Sequence, residues 1–125
     1  MPIKVVTSKQ PQWQGIQNFV PFEAVRLLLT TGRWLVLGRV NFINVDGDYQ
    51  PMRTSLVADF GGTIDFNDIY QPGDRNTVCY SLQGTLDIKN EIESVKLVCA
   101  TYRGQVYDGV LHALSIDEVE FQESS

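Results

Sequence analysis

The sequence predicts an all-β fold of antiparallel strands, and two observations carry that prediction. Apolar side chains alternate with polar ones at period two in at least four segments, and turn-forming residues recur about every ten positions. The segment 75–102, RNTVCYSLQGTLDIKNEIESVKLVCATY, shows the alternation best. Val78, Tyr80, Leu82, Leu86 and Ile88 share one face, and Cys79, Ser81, Gln83, Thr85 and Asp87 share the other. A pleated strand sends successive side chains to opposite faces, so this pattern marks a half-buried strand. Val95, Leu97 and Cys99 repeat it, and a polar turn near Asn90 and Glu91 is expected to join the two runs as a hairpin.

The other elements follow in chain order. Residues 1–15 read as a lead-in in which Ile3, Val5 and Val6 suit a short edge strand, with Pro11 and Gly15 as breaks. Pro21 and Phe22 open FEAVRLLLT. Val20, Ala24, Leu27 and Leu28 would fit a helical stripe there, whereas Val25, Leu27 and Leu29 fit a strand face. The strand reading is preferred because a strand follows and Thr30-Thr31-Gly32 suits a tight hairpin turn. From Arg33 to Val45, Trp34, Val36, Val40 and Phe42 alternate with Leu35, Leu37, Arg39, Asn41 and Ile43. Gly38 lies mid-strand, where a missing side chain admits a bulge or a bulky neighbour.

Asp46-Gly47-Asp48 marks a turn. Met52, Thr54, Leu56 and Ala58 then alternate with Arg53, Ser55, Val57 and Asp59, up to Phe60 and Gly61-Gly62. A short strand at Thr63–Tyr70 and a turn at Gln71-Pro72-Gly73-Asp74 precede the 75–102 segment. Tyr102 to Asp108 reads as a polar connection containing Gly104. The last strand is expected from Val110 to Phe121, with a bulge near Ala113–Ser115, and residues 122–125 as a polar tail. Seven to nine short strands in one 125-residue domain make a two-sheet sandwich or jelly roll.

These strands carry a family resemblance. GRWLVLGRV over Gly32–Val40 has the form G-x-W-x-V-x-G-x-V, and Val95-Lys96-Leu97-Val98-Cys99 has the form V-x-L-x-C. With NTVCYSLQGTLDI before and VYDGVLHALSIDEV after, residues 20–120 resemble the C1q and tumour-necrosis-factor-like jelly rolls, small bacterial-type members above all. The resemblance implies a ten-stranded, two-sheet jelly roll that assembles as a compact homotrimer, and the fold class expected for this chain is an antiparallel two-sheet jelly-roll sandwich of about 8–10 strands. The sequence departs from the animal proteins in having no collagen-like stalk, so their receptor-binding residues do not carry over.

Composition narrows the partners. The chain is 43% hydrophobic and 20% charged with a net charge of −5. That balance argues against general binding to nucleic acid or an anionic membrane, both of which demand positive charge. The N-terminus MPIKVVTSKQPQWQG lacks the apolar core of a signal peptide, so a cytoplasmic location is the expectation.

The candidate chemistry is sparse. Cys79 and Cys99 are the two cysteines, and the expected hairpin places Cys79 opposite Tyr102 and Cys99 opposite Leu82. An offset of roughly 10 Å along the strand is too long for a bridge, so two reduced, buried thiols are predicted. His112, the single histidine, has no G-x-S-x-G elbow nearby and reads as a strand residue at a surface or contact, although Ser115 or Cys99 and an Asp would complete a triad on paper. Two cysteines and one histidine do not make a four-ligand zinc site, and no phosphate-binding glycine motif occurs. Asn44-Val45-Asp46-Gly47-Asp48 begins like a calcium loop, but glycine is fourth and Ser55 stands where a glutamate ligand belongs; Asp46 and Asp48 are read as turn residues, with calcium held by both and by carbonyls from elsewhere as the alternative. Asp59, Asp65, Asp68 and Asp74 are expected to cap strand ends rather than form a glycosidase pair. Trp13, Tyr49, Tyr70, Tyr102 and Tyr107 fall in or near connections, where they suit sugar-stacking platforms, protein contacts or covers over the ends of the core.

The expectation is thus a non-enzymatic binding or assembly module, with no catalytic, cofactor or metal residue, that pairs with itself as a homotrimer and takes a protein or carbohydrate ligand. The alternative is a monomeric carbohydrate-binding sandwich. The trimer has a physical motive besides the resemblance. Leu35 and Leu37 face away from Trp34 and Val36, and one sheet of a sandwich buries only one face in its own subunit.

Overall fold

The computed structural model of the chain describes residues 4–45, 47–71, 77–120, 122 and 124. Its strands are β1 (Val5–Gln10), β2 (Gln14–Gln17), β3 (Phe22–Asn44), β4 (Gln50–Ala58), β5 (Gly62–Gln71), β6 (Thr77–Ala100) and β7 (Arg103–Ile116), with no helix among the described residues. The segment from Phe22 to Thr30 is strand, as its Val25, Leu27, Leu29 alternation predicts, and these three side chains are buried.

All strand pairs are antiparallel, in the order β1-β7-β3-β6-β4-β5, with β2 beside β7. The hydrogen-bonded ribbon folds over into two layers because β3 and β6 are long. In the first layer, residues 33–44 of β3 lie between β7 and residues 77–87 of β6, and β1 and β2 flank β7. In the second layer, residues 22–30 of β3 pair with residues 92–99 of β6, which pair with β4, which pairs with β5. The result is a two-sheet jelly roll. Its core is filled from the first layer by side chains such as Trp34, Phe42 and Leu111, and from the second by Met52, Leu56 and Leu97.

The two long strands correct the expected turns. Neither Thr30-Thr31-Gly32 nor Asn90-Glu91 closes a hairpin. Both lie inside strands that bend together where the register slips from Thr30↔Ile92 to Gly32↔Ile88. Thr31 Oγ1 donates to Asn90 O at 2.5 Å, and Trp34 Nε1 donates to Thr30 O at 2.9 Å, tying the bend. Gly32 adopts φ +141°, which a side chain would oppose. Two 23- and 24-residue strands therefore replace four of the short strands that the sequence suggested.

Residues 103–108 are likewise not a connection but the start of β7. The bulge in β7 lies at Asp108 and Gly109, between the pairs Arg39↔Val110 and Asn41↔Tyr107, and not near Ala113–Ser115. Asp108 takes φ +52°, a left-handed conformation that Asp tolerates. Asp46, the Pro72–Asn76 stretch, Ile3 and Phe121 lie outside the described residues, and with them the Gln71–Asp74 turn in all but Gln71.

Gly38 explains how the layers approach. A Cβ there would stand 2.9 Å from Leu111 Cδ2, with Leu97 and Leu56 from the opposite layer at 3.4 and 3.6 Å. Its missing side chain admits bulky neighbours, as its mid-strand position suggested.

Candidate functional site

The outward face of the first layer holds a broad depression. Cross-strand register lines up Val5, Leu114, Leu35 and Thr85 in one row, and Thr7, His112, Leu37 and Gln83 in the next. Lys9, Val110, Arg39 and Ser81 form a third row. Leu35, Leu37, Leu114 and Ile116 are half-buried there, and Val5 is exposed. A depression of about 600 Å³ opens over Leu37, Arg39, Ser81, Gln83 and His112, and Asp65 comes to its rim from β5. The face thus combines an apolar centre with polar and charged borders.

His112 sits in this depression and its Nδ1 lies 2.9 Å from Thr7 Oγ1. The structure does not gather a triad around it. Ser115 Oγ accepts from Lys4 N at 2.8 Å, and Cys99 pairs with Phe22 and Thr54 in the second layer. Burial pushes the Cys99 thiol up to about 12, with the neighbouring Thr54 hydroxyl as a smaller opposing influence. That hydroxyl makes no hydrogen bond of normal geometry, so desolvation decides. Cys79 and Cys99 are both unpaired, but not for the expected reason: Cys79 lies opposite Asn41 and not Tyr102, and Cys99 is not opposite Leu82. The exposure of Cys79 also corrects the expectation of two buried thiols.

The described aspartates have separate partners. Asp59 meets Lys96 Nζ at 2.9 Å, and Asp68 receives Arg53 Nη2 at 2.8 Å. Asp65 accepts from the backbone N–H groups of Phe66 and Gln83. Asp74 lies outside the described residues, as does Asp46, so the loop suggested for calcium is seen only in part. The described residues contain no cluster of three or more His, Cys, Asp and Glu side chains able to hold a metal.

Among the aromatics, Trp13 stacks on Tyr107 with ring centroids 3.8 Å apart and planes 13° apart. Tyr107 Oη donates to Thr77 Oγ1 at 3.2 Å, which braces the pair. Tyr49, Tyr70 and Tyr102 are exposed.

Sequence reasoning missed a buried polar network at one end of the sandwich. Thr101 Oγ1 and Arg103 N donate to Gln50 Oε1 at 2.9 and 2.7 Å. The Gln50 amide donates to Asn44 Oδ1 and Arg103 O, Asn44 Nδ2 donates to Gln71 O at 2.9 Å, and Tyr80 Oη donates to Gln71 Oε1 at 3.0 Å. Polar residues at inward parity (Asn44, Gln50, Thr101) were the signal. Their mutual bonding joins the ends of β3, β4, β5 and β6 to the start of β7.

No protein-family model matches the chain, and no curated protein matches it in sequence. Solved structures do. The chain is similar to Eiger TNF from S. frugiperda, with a TM-score of 0.60, 9% identity, and coverage of 97% of this chain and 98% of that one. A structure of the infectious bursal disease virus Gx strain matches at a TM-score of 0.60 and 12% identity over 90% of this chain, which spans about a third (32%) of the viral chain. The EclA C-terminal domain, described as a sugar-binding protein, matches at a TM-score of 0.53 and 15% identity, with 81% of this chain and 77% of that one covered. At such identities the likeness speaks for architecture alone: the chain has a TNF-like jelly-roll fold.

Proposed function

We propose that the chain is a non-enzymatic C1q/TNF-like binding and assembly module that acts as a homotrimer. The observation that carries this reading is the outward patch of Leu35, Leu37, Leu114 and Ile116, half-buried and bordered by Arg33, Arg39, Ser81 and Gln83. Covering such side chains against a second copy contributes roughly 25 cal/mol per Å² of apolar surface removed from water. A ring of three copies closes without leaving an unpaired patch. Eiger TNF shares the fold over nearly the whole chain, which supports the family side of the reading.

Light scattering of the purified protein tests it. Three times the chain mass of 14.1 kDa is the expected result. A monomer at high concentration would remove the assembly and bring forward the second reading, a monomeric carbohydrate-binding sandwich. The sugar-binding description of the EclA domain and the braced Trp13–Tyr107 stack favour that second reading. A hydrolytic activity abolished by His112→Ala in a folded protein would overturn the non-enzymatic part. The setting we propose is cytoplasmic, where Cys79 and Cys99 stay reduced.

A further inference from the structure

On the outward face of the second layer, far in the fold from Leu35 and Leu37, a compact polar-aromatic site is built within one chain. It begins with backbone strain. Asn18 and Phe19 follow β2 at φ +61° and +56°, and Val20 N closes the turn on Gln17 O at 3.3 Å. Left-handed backbone suits Asn but is an outlier for a bulky Phe. The turn is held by Asn18 N donating to Tyr102 O at 3.0 Å and Phe19 N donating to Thr101 O at 2.9 Å. Backbone strain held in place by its surroundings clusters at ligand clamps and other functional sites.

The turn presents the Phe19 ring, tilted against Tyr102 and lying 5.4 Å from the Arg53 guanidinium carbon. Arg53 is held in turn by Asp68, to which Nε and Nη2 donate at 3.3 and 2.8 Å. Among the described residues, Arg53 Nη1 and Asp68 Oδ1 carry no hydrogen bond. Beside them lies a cavity of about 350 Å³ walled by Phe19, Pro21, Ser55, Val57 and Val98. That volume is at the lower end of the roughly 300–1,000 Å³ of small-molecule sites.

We infer that this cavity binds a neutral pyranose sugar. The Arg53–Asp68 pair offers a donor and an acceptor side by side, and a sugar's vicinal hydroxyls supply both complements. The charges offset each other, so Asp68 repels an anion and Arg53 a cation. The Phe19 ring, Pro21 and Val98 offer the apolar wall that the C–H face of a pyranose needs. On β5, Phe66 and Tyr70 flank Asp68 on the same face, exposed at 63% and 71%, and extend the surface for neighbouring sugar units. An added peptide strand is a poorer occupant, because the free edge of β5 is already held to β6 by Asp65–Gln83 and by Gln71–Tyr80. The inference supplies a ligand class for the proposed binding module and rests on that reading only in treating the chain as a binder. It needs no second copy, so light scattering and sugar binding fail or succeed separately.

Saturation-transfer NMR on the intact chain with methyl glycosides of glucose, galactose, mannose and fucose tests the site. At least one glycoside should receive saturation and shift the amide signals of Phe19, Ser55 and Val98. Arg53→Gln and Phe19→Ala should each weaken it by tenfold or more. Ser55→Trp, which fills the cavity and keeps Arg53 and Phe19, should abolish it in a protein whose melting temperature is unchanged. Absence of transfer from all four glycosides overturns the inference. So does binding that survives Ser55→Trp, or signals at Phe19 and Val98 that shift with protein concentration alone and so report a second copy there.

Discussion

Asp65 Oδ2 accepts a hydrogen bond from the backbone N–H of Gln83 at 3.0 Å, and this contact joins the edge strands of the two layers. Next to it, Ile64 lies over Gly84 so closely that a Cβ on Gly84 would come within 2.3 Å of Ile64 Cγ2. A carboxylate and an absent side chain thus seal one side of the sandwich. Gly84→Val should destabilise the fold by about 1–3 kcal/mol through overpacking. Ile64→Ala in the same chain should recover part of that loss, and a double-mutant cycle by urea denaturation would show it. Additive losses would mean that the two positions do not meet.

The network around Gln50 predicts a larger loss. Gln50→Ala strips partners from Thr101, Arg103 and Asn44 at once. Each buried polar group left unsatisfied costs about 1–3 kcal/mol, so a loss of about 3 kcal/mol or more is expected. Calorimetry would read this as a fall in melting temperature well beyond that of an exposed change such as Gln105→Ala.

The cysteines should differ sharply in reactivity. Cys79 is exposed and Cys99 is buried. One equivalent of thiol reagent should react with the native protein at neutral pH, and Cys79→Ser should reduce this to none. Two fast equivalents would contradict the burial of Cys99.

Cys99 also predicts an alkaline dependence of stability. Burial holds its folded value near 12, above the ordinary 9.0, so between those values the unfolded chain ionises while the folded chain does not. The stabilising contribution is therefore complete below about pH 9 and is lost as pH rises toward 12. Tyr80, also raised by burial, acts in the same direction from a higher starting point of 10.0. Cys99→Ala should flatten the fall in urea midpoint over that range relative to the unaltered chain. An unchanged slope would count against it.

At the outward face of the first layer, Leu37→Glu should lower the oligomeric mass measured by light scattering without shifting the circular dichroism of a β protein. Leu37 is half-buried and points away from the core, so the charge burdens assembly more than folding.

Much of the fold was legible because alternation is a local property. Trp34, Val36, Val40 and Phe42 face the core as their parity requires, and so do Tyr80, Leu82, Leu86 and Ile88 and the row Met52, Leu56 and Ala58. What parity does not encode is the path of the chain at an interruption. Asn90 and Glu91 break the pattern equally whether the strand reverses or bends into the other layer. The choice was made at long range, by Thr31 and Gly32 bending alongside in β3.

The same holds for the sites. Asp68, Tyr102 and Tyr70 were visible as candidate residues, whereas Arg53 stood out only as one member of the alternation around Met52 and Leu56, and Phe19 was unremarked. Only the turn at Asn18–Phe19 and the pairing of β4 with β5 bring ring, guanidinium and carboxylate together. By itself the sequence determined which side chains point inward, because that follows from two-residue periodicity along one strand. Tertiary structure decided which strands lie side by side, and hence every cross-strand site, because pairing depends on contacts between residues far apart in the chain.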